Sequence, residues 1–398
     1  MKPAPLRLKK DQERRILAGH GWIYSNEVDT GATPLKTLEA GQPVEVFAQH
    51  GRWLGHAYVN PGSLICARLV SRQRDRPLSA SLLVQRMRAA LGLRERLYKL
   101  PFYRLVYGEG DALPGLIVDR YGDLLAVQIT TAGMERVRSD IVAALEQVLR
   151  PKRIVLRNDA AVREQEGLEQ DIDWVLGDDP GEIELREGRV SFAVAPGSGQ
   201  KTGWFFDQAD NRLALQRFGG AHRVLDVCCY LGAWGLQAAA NGAESVTCVD
   251  SSAAALEQVA ANAERNGLAE QVDTRQGDAF ELLRQLREEQ ARFDLVVLDP
   301  PAFIKRRKDE REGTRAYERL NRLGLELLEP GGLLVTSSCS FHMGRDAFLH
   351  AVQAAARRTE HELQLLQAGG QGPDHPVHPA IAETSYLKTF FLRSMPIH

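Results

Sequence analysis

From about residue 191 onward, short apolar runs alternate with stretches of helical periodicity. "HRVLDVCC", "SVTCVD", "DTRQGDA", "FDLVVLDPP" and "GLLVTSSCS" read as strands, and "WGLQAAANG", "AAALEQVAANAERNG", "FELLRQLREEQ" and "RAYERLNRLGLELLEPGG" between them read as helices. Near-continuous apolar strands separated by helices predict a parallel, doubly wound sheet, which takes its ligands beyond the carboxyl ends of the strands. Polar chemistry falls at those ends: Asp226, Asp250, Asp278, Asp299 and Cys339.

The chain before residue 191 is patterned differently. Residues 1–72 carry period-2 runs broken by His50-Gly51 and Asn60-Pro61-Gly62, which predicts a small β-rich domain, with a helical stretch over "DQERRILAGHGWIY" ahead of them. Residues 73–190 mix a long helix after Arg74 (apolar Leu82, Leu83, Met87, Leu91 and Leu97), strands meeting at Gly122-Asp123, and a hairpin turning near Glu187-Gly188. The expected organisation is three domains: 1–72 β-rich, 73–190 α+β, and 191–398 α/β.

Composition adds limits. With 398 residues, 44% hydrophobic and 26% charged, the chain has enough length for two or three packed cores. No apolar run approaches a membrane span, and the basic start lacks the apolar stretch of a signal peptide. The five cysteines show neither disulfide nor zinc-ligand spacing, which fits reduced thiols in a cytoplasm and gives no reason to expect a metal. A net charge of −2 carries no argument for nucleic acid, but local clusters do. Lys9 and Lys10 lie in a basic start, Arg68 to Arg76 form a second group, and Lys305 to Lys308 follow the DPPAF strand end directly.

The strand ends split into two halves of a site. In the first, "VLDVCCYLGAWG" places Asp226 at a strand end, with Tyr230 and Gly232 in the turn before a helix. Asp250 ends the next strand, where a carboxylate can accept both hydroxyls of a ribose. Asp278, with the backbone of Ala279, can read an adenine edge. This spacing resembles class I S-adenosylmethionine-dependent methyltransferases. A nicotinamide-binding domain would need phosphate-cradling GxGxxG, and the first two places of the glycine loop are Cys228 and Tyr230 instead.

The second half is Asp299-Pro300-Pro301-Ala302-Phe303 and Cys339. Prolines remove backbone donors and stiffen a loop, and Phe303 can stack on a base. If the target were an exocyclic nitrogen, its lone pair would attack the methyl group and no thiol would be needed. Carbon 5 of a pyrimidine is a poor nucleophile, and a thiolate adding at carbon 6 activates it, with an acid supplying a proton at ring nitrogen 3. Cys339 and Asp299 are the candidate catalytic pair. Pro300, Pro301, Phe303, Lys305, Arg306, Lys9 and Lys10 are the candidate RNA contacts.

At these residues the chain resembles the bacterial 23S ribosomal RNA large-subunit methyltransferase I family, which makes 5-methylcytosine. The resemblance runs through "GWIYSNEV", "GHAYVNPGSLICARL", "YGEGDALPGLIVDRYGD", "GQKTGWFFDQADNR", "DPPAF", "SCS" and the late "DHPV" and "YLK". It implies an N-terminal PUA domain, a C-terminal Rossmann-like methyltransferase domain, S-adenosylmethionine as cofactor and 23S ribosomal RNA as partner, with homodimerisation left open. It places Cys339 as nucleophile, Asp299 on the acid-bearing motif, and Phe206, Asp207 and Gln208 over the cofactor pocket. A second cysteine after the prolines, used for product release in another group of RNA 5-methylcytosine enzymes, is replaced here by Ala302 and Phe303, so release needs a water or Asp299. Two other functions stay open on the residues alone: an RNA N-methyltransferase that uses DPP without the thiol, and a non-catalytic RNA-binding assembly factor.

Overall fold

The computed structural model describes residues 3–396, which gather into two compact units. The first holds the chain up to residue 183 together with 194–206 and 373–384; the second holds 184–193, 207–372 and the chain from 385 onward.

The first unit contains two five-stranded sheets. One has the order Ala4–Arg7, Gln42–Phe47, Trp53–Val59, Ala67–Ser71, Trp22–Ile23 and closes over Leu6, Ile16, Val44, Val46 and Val59. The helix expected over residues 11–24 is realised only as Glu13–Leu17. Gly19 takes φ +107° just after it, and the chain then extends so that Trp22 and Ile23 pair with Arg68 and Ala67. The apolar positions that suggested helix serve a strand edge instead. The second sheet runs Ile172–Leu176, Arg153–Arg157, Leu124–Ile129, Leu116–Tyr121, Phe102–Tyr107. The helix Ala80–Leu97, capped by Ser79 accepting from the Leu82 amide, and the helix Arg138–Leu149 contribute to its core. The late segment 373–384 is tied in by Asp374, whose carboxylate accepts from the Arg104 amide at 2.9 Å and whose carbonyl accepts from Arg94 at 2.6 Å.

The second unit is the doubly wound sheet. Its strands are β1 (Arg223–Val227), β2 (Ser245–Asp250), β3 (Val272–Gln276), β4 (Phe293–Leu298), β5 (Leu328–Ser338), β6 (His361–Gly370) and β7 (Lys388–Pro396). Their order in the sheet is β3-β2-β1-β4-β5-β7-β6, parallel except for β7, which runs antiparallel to both its neighbours. Successive side chains of a strand point to opposite faces. Val224 and Val297 therefore meet α1 (Ala233–Ala240) and α2 (Ala253–Arg265) on one side. Leu225, Val296 and Leu298 meet α3 (Ala279–Glu288), α4 (Glu310–Glu326) and α5 (Arg345–Arg357) on the other. Both faces are covered, which is why the central strands read as unbroken apolar runs. Among the described residues no helix is long and apolar enough to cross a membrane.

Candidate active site

The turn between β1 and α1 shows how the second unit manages without a full set of glycines. Cys228 and Tyr230, the residues standing where glycines were expected, adopt φ +61° and +50°, and Gly232 adopts +75°. The backbone keeps the left-handed shape that glycine adopts freely, at roughly 1–2 kcal/mol for each residue bearing a Cβ. Strain kept at a turn needs support, and the hydrogen bonds around it provide some. Asp250 accepts from the Tyr230 amide at 3.0 Å and, through its other oxygen, from the Ser252 amide at 3.0 Å. Asp226 is fully buried, and its Oδ2 accepts from the Gly235 amide at 2.8 Å. Its Oδ1 has no hydrogen-bond partner among the described residues. Burial pushes its carboxyl up to about 7, and the nearby Asp299 and Asp250 charges add to the rise. Gly235 lets α1 sit tightly on β2, since a Cβ there would meet Cys248 Sγ and Val246 at 2.9 Å. Asp278 caps α3 by accepting from the Glu281 amide at 3.1 Å, which leaves Ala279 as the first helical residue.

The acid and the thiol stand at the ends of adjacent parallel strands, with Leu298 of β4 in register with Thr336 of β5. Asp299 accepts from Gln208 Nε2 at 2.8 Å on one oxygen and from Trp234 Nε1 at 3.0 Å on the other. Burial raises its pKa above the ordinary carboxylate range, and Asp207 adds to the rise, against the lowering effects of Trp234, Arg212 and Gln208. Cys339 Sγ donates to the Pro300 carbonyl at 3.8 Å, so the thiol rests on the DPP turn itself. Pro300 is buried and Pro301 exposed. Phe303 packs its ring on Tyr317, with centroids 4.7 Å apart, and on Phe280 at 6.0 Å. Lys305 and Arg306 are exposed in the loop that follows.

Residues 6–72 match the family described as PUA-like domain, and residues 205–336 match one described as Conserved hypothetical protein 95. Ribosomal RNA large subunit methyltransferase I of Erwinia tasmaniensis is 36% identical over 391 residues, covering 97% of this chain and 98% of the relative. The protein of the same name from Tolumonas auensis is 36% identical over 395 residues, covering 98% of each. The chain belongs to the ribosomal RNA large subunit methyltransferase I family. Among solved structures, a protein assigned as a SAM-dependent methyltransferase from Streptococcus mutans superposes with a TM-score of 0.83 at 22% identity, covering 98% of this chain and 100% of that one. A methyltransferase-type chain complexed with SAH gives 0.84, also at 22% identity and with the same coverage. The fold is thus that of S-adenosylmethionine-dependent methyltransferases.

Within this family framework the residues singled out in the sequence divide by unit. Asp226, Tyr230, Gly232, Asp250, Asp278, Ala279, Asp299, Pro300, Pro301, Phe303, Lys305, Arg306, Cys339 and Gln208 belong to the second unit; Asp226 is the penultimate residue of β1 and Asp250 the last of β2, while Asp278, Asp299 and Cys339 follow the carboxyl ends of β3, β4 and β5. Phe206 belongs to the first unit, where its ring packs 5.2 Å from that of Tyr121. Lys9 and Lys10 are exposed on the first unit, and Lys9 Nζ donates to the Asn26 carbonyl at 2.8 Å. Three contributors were not legible beforehand. Trp234 lies on α1 and reaches Asp299 across 65 positions. Tyr386 donates its hydroxyl to Asp207. Lys388, 7% exposed, donates to the Ser340 carbonyl at 2.6 Å and the Tyr386 carbonyl at 2.7 Å. Only the late "YLK" string hinted at Lys388, and without a role.

Proposed function

We propose that the protein methylates carbon 5 of a cytosine in 23S ribosomal RNA through a transient covalent bond to Cys339, using S-adenosylmethionine. The observation that carries this reading is the thiol of Cys339 resting 3.8 Å from the Pro300 carbonyl, directly after Asp299. Membership of the ribosomal RNA large subunit methyltransferase I family supports the RNA substrate.

The residues present fit the cofactor. Asp226 offers a buried oxygen with no partner among the described residues, at the foot of a turn held in a glycine-like shape. Asp250 is oriented by two backbone amides to receive ribose hydroxyls, and Asp278 stands after β3 for the adenine edge. When bound, S-adenosylmethionine supplies an electrophilic methyl group.

The chain's own residues do the rest. The Cys339 thiolate forms an Sγ–C6 bond; the C5–C6 π pair shifts to C4–C5, and the C4–N3 π pair moves to nitrogen 3, where Asp299 delivers a proton. A carboxyl whose pKa burial raises above the ordinary carboxylate range holds its proton more readily than a free one. Carbon 5 is then nucleophilic. As carbon 5 takes the methyl group, the C4–C5 pair forms the new bond, the nitrogen-3 lone pair re-forms the C4–N3 double bond, and the nitrogen-3 proton returns to Asp299. A base then removes the carbon-5 proton, its electron pair re-forms the C5–C6 double bond, and the thiolate leaves. A water beside Asp299, or Asp299 itself once its proton has passed to solvent, serves as that base. On the first unit, the PUA-like segment with exposed Lys9 and Lys10 positions the RNA through phosphate contacts, which fix register without reading sequence.

The test is Cys339→Ala. It abolishes methyl transfer to ribosomal RNA and leaves calorimetric S-adenosylmethionine binding within about twofold. RNA containing 5-fluorocytidine traps the wild-type protein as a covalent adduct that survives denaturing gels, since fluorine cannot leave as a cation. Retention of more than about a tenth of the activity by Cys339→Ala excludes the covalent mechanism and favours transfer to an exocyclic nitrogen.

A further inference from the structure

Lys388 has no place in the chemistry so far, yet its setting is unusual. It opens β7 directly opposite Ser338 in the β5–β7 ladder, and it is 7% exposed. Its ammonium group is held by two carbonyls, that of Ser340, one residue past Cys339, and that of Tyr386. No carboxylate lies within ion-pair distance of it among the described residues. A buried ammonium is costly unless a negative charge compensates it. The carbonyls supply partial charge and fix the position of Nζ, but they accept only two of its donors.

We infer that Lys388 is a positioning residue for the covalent step, its ammonium group pairing with the Cys339 thiolate to give the buried charge a partner. This deepens the reading above and rests on it for the step it serves. The exchange starts from the neutral form of the Lys388 amine: the Sγ–H bond breaks, an Nζ–H bond forms on the amine lone pair, and a thiol and an amine become a thiolate and an ammonium.

The surroundings agree. Burial lowers Lys388 from 10.5 to about 8, against an opposing pull from Cys339, so the amine exchanges protons close to neutral pH. Other titratable groups stand near the pair. Tyr317 of α4 shares a 2.9 Å hydrogen bond with Ser340 Oγ, and burial pushes its phenol above 10.0. Tyr386 is engaged with Asp207, and Asp299 at the end of β4 is engaged with Gln208 and Trp234. None of these three is a cation, whereas Lys388 bonds to the carbonyl of the residue next to the thiol.

The experiment is the pH–rate profile of iodoacetamide alkylation at Cys339, read by mass spectrometry of its peptide in the full-length protein. The variants are Lys388→Met and Lys388→Arg, with folding checked by S-adenosylmethionine binding; Lys388→Gln replaces the Met variant if that does not fold. Loss of the amine moves the half-maximal pH upward and slows labelling at pH 7 by about tenfold, the equivalent of roughly one pKa unit. Lys388→Arg, which keeps the charge, stays nearer the wild type. An unchanged profile in Lys388→Met, or equal displacement in the Met and Arg variants, overturns the pairing. The 5-fluorocytidine trap separates this from the parent reading. A wild type that is not trapped, but whose alkylation profile responds to Lys388, keeps the ion pair and loses the cytosine chemistry. A trapped wild type with an unresponsive profile loses the ion pair alone.

Discussion

Replacing Asp226 by Asn isolates the energetic consequence of the buried acid at the end of β1. The carboxyl is fully buried, with one oxygen accepting from Gly235 and the other without a partner among the described residues. Its pKa rises from 3.8 in the unfolded chain to about 7 in the folded one. The folded state therefore binds the proton more tightly. Well below pH 3.8 the carboxyl is neutral in both states and imposes no penalty. Between about 4 and 7 the unfolded chain ionises while the folded one does not, and stability falls as pH rises. Above 7 the full penalty is present. A difference of roughly three units corresponds to about 4 kcal/mol. Asn cannot ionise. Its carbonyl can keep the Gly235 bond, while its amide needs an acceptor and costs about 1–3 kcal/mol if it finds none. That cost does not depend on pH. The difference in stability between Asp226→Asn and wild type should therefore move in favour of the variant by about 3 kcal/mol from pH 4.5 to pH 8, whatever its offset. Urea denaturation at both pH values, with hydrogen exchange on β1 and β4 peptides, follows the second unit separately from the first. A stability difference that changes by less than about 1 kcal/mol between the two pH values would refute the argument. The same variant should bind S-adenosylmethionine more weakly, so a gain in stability accompanies a loss of function.

Two further outcomes follow from the two units. Asp250→Ala leaves the Tyr230 and Ser252 amides without their acceptor and removes the carboxylate proposed to receive the ribose hydroxyls, so S-adenosylmethionine affinity drops about tenfold or more while RNA affinity changes little; unaltered cofactor binding by calorimetry removes Asp250 from the site. The double variant Lys9→Glu/Lys10→Glu weakens RNA binding and lowers the slope of log K against log salt by about 2, with cofactor affinity unchanged, and an unaltered slope rules out phosphate contacts there. Point variants suit this question better than truncation at residue 72, because Tyr58 donates to the Pro114 carbonyl and Asn60 to Glu166 inside the first unit, and removing the segment would strand those groups.

Much of the second unit was legible in the sequence for a local reason. A strand covered on both faces must be apolar at nearly every position, so its end shows wherever a charged or polar residue breaks the run, as at Asp226, Asp250, Asp299 and Cys339. Family strings such as "DPPAF" and "SCS" then attach chemistry to those ends. What the sequence could not decide is which distant groups meet them. Trp234 and Gln208 reach Asp299 from α1 and from the segment before β1, and Lys388 reaches the Cys339 turn from a strand that runs antiparallel to its neighbours. None of those residues breaks a local pattern. The left-handed backbone at Cys228 and Tyr230 was equally hidden, because a residue with a Cβ does not announce a positive φ and tolerates one only where surrounding contacts hold it. The segment 11–24 shows the reverse case. Its apolar spacing satisfies a helix, but Gly19 and pairing with Ala67–Ser71 turn its second half into a strand. Periodicity states which side chains must be buried, and only the assembled fold states against what.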